Sequence, residues 1–101
     1  MRQDRQIAAV FRQGRRQESE HFFIYQMPVA SAPTRFCLRF SRRIGNAVCR
    51  NRIKRYLREF LRTHKKVWPK QAAVVIKVKS SAAGLNYRQV ADAMTAHFHD
   101  E

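Results

Sequence analysis

The residues best equipped for chemistry lie between positions 42 and 66, where Arg42, Arg43, Arg50, Arg52, Lys54, Arg55, Arg58, Arg62, Lys65 and Lys66 are opposed by Glu59 alone. A planar guanidinium grips phosphate with two hydrogen bonds and also stacks on a base, so an arginine-rich run suits a nucleic-acid backbone. A merely solvated helix face normally mixes both signs of charge, because i, i+4 ion pairs relieve the repulsion. Here the acids are nearly missing. Gly45-Asn46 stands just before the run, leaving amide groups and the positive end of a helix near Arg42 and Arg43, a corner that attracts an anion.

The same sequence is poor in groups that break bonds. A metal-dependent nuclease needs clustered carboxylates to hold its ions, and the chain offers only Asp4, Glu18, Glu20, Glu59, Asp92, Asp100 and Glu101, none of them forming a convincing cluster. Glu18 and Glu20 have the i, i+2 spacing of one strand face but read as surface charges. His97 and His99 are two apart on a helix, not at the i, i+4 spacing that converges on a metal, and His21 and His64 are isolated. Cys37 and Cys49 lack the spacing of a zinc site and read as thiols packed like small hydrophobes. No catalytic residue and no protein-held metal are expected.

Composition narrows the partner. Lys plus Arg number 21 against 7 Asp plus Glu, a formal net charge of +14, which favours a polyanion. A 45% hydrophobic content with seven Phe, three Tyr and one Trp is too apolar for a disordered basic tail. At 101 residues the chain has room for one modest core, so residues 1–101 are expected to be one domain. Neither a signal-type apolar region nor a run approaching a membrane span is present, and the expected location is the cytoplasm.

The elements that would position the basic run follow from periodicity. Residues 4–13 carry Ile7, Val10 and Phe11 at helical spacing, with Asp4 as the expected cap and Gly14 as the stop. Residues 21–29 and 34–41 read as strands joined by a Pro, Ala and Ser segment. The stretch 47–64 sets Cys49, Ile53, Tyr56, Leu57, Phe60 and Leu61 on one helical face and Lys54, Arg55, Arg58 and Arg62 on the other. Residues 72–78 read as a strand for the middle of a sheet, and Asn86 caps a last helix with Val90, Ala93, Met94 and Phe98 on one side. The predicted order is αββαβα, a sheet covered by helices.

The run Ser41 to Arg55 resembles the signature of the bacterial ribonuclease P protein, whose Gly-Asn-Ala-Val-x-Arg-Asn-Arg-x-Lys-Arg core is matched at every specified position by Gly45 to Arg55. The likeness extends to the first helix ending Val10-Phe11-Arg12-Gln13-Gly14, the strand with Phe22-Phe23-Ile24-Tyr25, the apolar strand and the closing helix. The resemblance implies an α/β (α+β) two-layer sandwich like domain 2 of ribosomal protein S5, with a left-handed βαβ crossover that chain physics alone would not suggest. It implies two partners, the catalytic ribonuclease P RNA and precursor tRNA, with neither membrane nor DNA as partner. Arg50, Asn51, Arg52, Lys54, Arg55 and Arg58 would face the catalytic RNA, with Arg42, Arg43 and Asn46 as further RNA-binding residues. Ile7, Phe11, Tyr25 and Arg39 would line a cleft for the single-stranded 5′ leader. The RNA would perform the endonucleolytic, Mg2+-dependent cleavage that matures the tRNA 5′ end, holding most of the Mg2+ itself.

The sequence departs from the family pattern at several points. Ile7 stands where the family usually has Phe, Arg42-Arg43 replaces Lys-Lys, and Cys37 and Arg39 replace small residues. Arg39 could crowd the cleft or add a phosphate contact. Two other readings share the same composition: a ribosome-associated or general RNA-binding protein with no role in cleavage, and a membrane-surface binder built on the amphipathic basic helix. The second is disfavoured because Ile53, Tyr56 and Phe60 are needed to cover the sheet.

Overall fold

A computed structural model describes residues 2–30 and 32–98, the side chains of residues 2–6 excepted. In chain order it contains α1 (Arg2–Gln13), β1 (Arg15–Glu18), β2 (Phe22–Pro28), β3 (Arg35–Phe40), α2 (Ala47–Thr63), β4 (Ala72–Val78) and α3 (Tyr87–His97), with 3-10 turns at Lys65–Val67 and Ser80–Gly84.

One strand was not expected from the sequence. β1, Arg-Arg-Gln-Glu, is exposed throughout and has no apolar alternation to announce it. It exists because its backbone pairs antiparallel with β2, from Arg15 opposite Gln26 to Glu18 opposite Phe23. The cap expected at Asp4 is also corrected: α1 already begins at Arg2, so Asp4 lies inside the helix, and its side chain is outside the described residues. His99, Asp100 and Glu101 likewise lie outside them.

The sheet order is β1-β2-β4-β3. β4 runs antiparallel to β2 and parallel to β3, so β3, α2 and β4 form a βαβ unit and β4 takes the interior place that its apolar run predicts. Alternation along the strands sorts side chains onto two faces. Phe22, Ile24, Val74, Ile76 and Val78 join Ile53, Leu57 and Phe60 of α2 and Val90 and Met94 of α3 in the main core. Each of these fully buried side chains contributes about 1.5–3 kcal/mol of transfer free energy. The opposite face carries a smaller cluster, Val10 of α1 on Ala73 and Val75 of β4, with Ile7, Tyr25, Met27 and Cys37 around it.

Gly14 makes that second packing possible. Its N–H donates to Val10 O at 2.8 Å, closing α1 and turning the chain into β1. A Cβ there would stand 2.5 Å from Val10 O and 2.9 Å from Gln26 O. Only glycine lets α1 and β2 approach so closely.

Candidate nucleic-acid interface

α2 is aimed by its buried side. Ile53, Leu57 and Phe60 are fully buried and Leu61 is 7% exposed, which leaves the opposite surface to Arg50, Asn51, Arg55, Arg58 and Arg62. Arg52 and Lys54 sit half-buried on the two flanks. Among the described residues one ion pair interrupts the row, Arg62 donating to Glu59 at 2.7 Å, so the face is relieved of like charge only at that i, i+3 pair. Asn51, Lys54, Arg55, Arg58, Glu59 and Arg62 line a shallow trough along this surface.

The start of α2 is built by Gly45 and Asn46. Gly45 has φ +110°, a backbone conformation open to glycine, and the Asn46 side chain accepts a hydrogen bond from Cys49 N at 3.0 Å. Asn46 is therefore the helix N-cap, a role its residue type and position announce. Ile44, fully buried, anchors the preceding turn, while Arg42 and Arg43 remain exposed beside it. Both arginines thus stand next to the positive end of α2.

A groove of about 360 Å3 crosses the open edge of β3. Its floor is Ile7, Val10, Cys37, Ala73 and Val75 on the α1 side, and it continues past Arg35, Phe36 and Leu38 to Lys54 and Arg58 of α2. Lys54 and Arg58 therefore belong to both the basic helix and the groove, which spacing along the sequence does not reveal. Phe36 and Leu38 line the groove as well, although their alternation marks them as sheet core.

Of the expected cleft residues, Ile7 lines the groove. Phe11 and Tyr25 lie on the same sheet face, their rings meeting edge to face with centroids 4.6 Å apart. Tyr25 packs on the Val10 cluster, but Phe11 is 39% exposed. Arg39 is exposed and stands beside Lys77 in the sheet register, outside the groove lining, as are Phe11 and Tyr25.

Among the described residues no three His, Cys, Asp or Glu side chains converge to hold a metal, and no helix is long and apolar enough to cross a membrane. Glu18 accepts from Lys79 at 2.6 Å, and that hydrogen bond holds its carboxyl below the usual value. His97 has its imidazole pKa lowered by desolvation; its Nε2 is buried with no hydrogen-bond partner among the described residues, and its Nδ1 is 3.4 Å from Gln17 Oε1. Both cysteines are free thiols.

Comparison with known proteins gives one consistent result. The family model described as Ribonuclease P matches residues 1–100. The ribonuclease P protein component of Desulfovibrio desulfuricans is 40% identical over 90 residues, covering 85% of this chain and 69% of that protein. The one from Exiguobacterium sibiricum is 32% identical over 95 residues, covering 93% and 82%. The fold is that of the RNase P protein of Thermotoga maritima, with TM-score 0.86 at 23% identity over 96% of this chain and 94% of that one. The RNase P protein of Staphylococcus aureus superposes with TM-score 0.84 at 21% identity, covering 92% and 85%. The signature on α2, the matching fold and relatives that align along most of its length agree: the chain belongs to the ribonuclease P protein family and is a protein subunit of that RNA-containing endoribonuclease.

Proposed function

We propose that this subunit docks on the catalytic RNA through the outer surface of α2 and receives the single-stranded 5′ leader of precursor tRNA along the groove and the Phe11–Tyr25 pair. The observation that carries the reading is the shared position of Lys54 and Arg58, which belong to the basic helix and also wall a groove floored by apolar side chains. Unpaired bases stack on aromatic rings while cations follow the backbone, a mode that tolerates many leader sequences. Leader contact is also selective: precursor has a leader and mature tRNA does not, so the binding energy goes to substrate and not to product.

The described residues do not fit a magnesium site of the protein's own. Glu18 is committed to Lys79, Glu59 to Arg62, and Glu20 lies against His21. The Mg2+ needed for hydrolysis is assigned to the RNA, and the protein's share is to bind and orient the precursor for removal of its leader in the cytoplasm.

Reconstitution tests this. At physiological magnesium, the protein with its cognate RNA should bind and cleave precursor tRNA better than the RNA alone, with no comparable gain in affinity for mature tRNA. Equal gains for leader-bearing and leaderless tRNA, or no gain in cleavage, would overturn the reading in favour of a general RNA-binding protein.

A further inference from the structure

Phe23 is an aromatic residue that the fold does not consume. It lies on the same sheet face as Tyr25, ring centroids 6.3 Å apart, yet it packs into neither hydrophobic cluster. Cations surround it instead: Lys79 Nζ at 4.5 Å, Arg16 Cζ at 5.2 Å and Lys77 Nζ at 5.9 Å from the ring centroid.

Register extends the row across the end of the sheet. Phe23 is paired with Lys77, and Lys77 with Arg39, so all three side chains share the face that α1 covers farther along. Lys79 is neutralised by Glu18 and also donates to Ser19 O at 2.8 Å. Among the described residues, no such carboxylate pairs with Lys77 or Arg39, and both are exposed. Like charges gathered at one ring repel each other, and an anion between them turns that repulsion into attraction. Each cation–π contact offsets only about 0.5–1 kcal/mol at an exposed site.

We propose that Phe23 is a further platform for one unpaired nucleotide of RNA, its base stacked on the ring and its phosphate met by Lys77 and Arg39. A strand leaving Tyr25 then continues over the end of the sheet instead of turning into solvent. Arg16, exposed on the short edge strand β1 and over the ring at 5.2 Å, lifts from it to admit the base and then stacks on the base's far side, since a guanidinium stacks on bases as readily as on Phe. The proposal rests on the leader-binding reading and lengthens its track by one subsite beyond the Phe11–Tyr25 pair.

The test uses the holoenzyme and precursor tRNAs whose uridine leaders are lengthened one nucleotide at a time, with equilibrium affinity as the readout. In wild type the affinity should rise with leader length and gain a last increment when the strand reaches Phe23. Phe23→Leu keeps an apolar side chain but removes the stacking face, so the last increment should fall by about 5-fold or more while shorter leaders bind as before. Lys77→Gln, an exposed substitution that spares the core, should reduce the same increment and flatten its salt dependence. Affinity profiles of both variants that overlay wild type would overturn the platform and leave the leader reading intact. A Phe23→Leu loss spread equally over all leader lengths would also overturn it, since the residue would then be acting through Tyr25. Wild-type affinity indifferent to the leader at every length would sink both readings together.

Discussion

Phe11 and Tyr25 meet edge to face across the gap between α1 and β2, with centroids 4.6 Å apart, yet Phe11 is 39% exposed. That open face of Phe11 is where the proposed leader track would set an unpaired base against the pair. Tyr25→Ala and Phe11→Ala are each expected to weaken precursor binding by the holoenzyme about 5- to 100-fold, the range of one missing base stack, and to leave mature tRNA affinity unchanged. Side-by-side titrations of precursor and mature tRNA check the difference.

Charge reversal at Arg50 and Arg52 addresses the docking surface. Arg50 is exposed and Arg52 half-buried, and neither is part of the core. Arg50→Glu and Arg52→Glu should weaken assembly with the catalytic RNA and make the log-log salt slope shallower by about 0.7–0.9 for each phosphate no longer neutralised. The melting temperature should hold. Unchanged affinity and slope would remove α2 from the RNA interface.

Asn46 permits a separation of stability from binding. Its side chain caps α2 through Cys49 N, so Asn46→Ala should cost about 0.5–2 kcal/mol in denaturant unfolding. Asn46→Asp keeps the cap, and its stability should match wild type. If the residue also faces RNA, the Asp variant loses affinity by adding negative charge; retained affinity would confine Asn46 to capping.

Gly14→Ala should be among the most damaging single-methyl changes in the chain. The added carbon falls 2.5 Å from Val10 O and 2.9 Å from Gln26 O, both backbone atoms with little room to yield. Overpacking of this kind costs about 1–3 kcal/mol. Because α1 must then lift from β2, thermal unfolding should shift down by on the order of 5–20 °C, and precursor affinity should fall with it.

His97 predicts the acid limb of stability. Desolvation lowers its pKa in the folded protein, so the unfolded chain binds the proton more readily. The stability this group contributes is complete above the ordinary imidazole value of about 6.5 and is lost as pH falls through the folded value. Melting temperatures at pH 7.5 and 5.5 should therefore differ less in His97→Gln than in wild type. An equal difference would place the acid sensitivity elsewhere.

The sequence alone determined the two-faced helix read at residues 47–64 and found at 47–63, the interior strand of residues 72–78 and the capped last helix, because 3.6-residue periodicity, continuous apolar runs and Asn caps are local facts about neighbours along the chain. It also carried the signature from Gly45 to Arg55, and with it the family. Tertiary structure decided what local pattern cannot encode. β1 is a strand only because β2 offers it a backbone partner, and Lys54 and Arg58 face a groove only because α2 lies beside the open edge of β3. The row of Phe23, Lys77 and Arg39 comes from three strands aligned by register. Hydrogen-bond pairing between distant segments brings those side chains together, and no spacing within one segment records it.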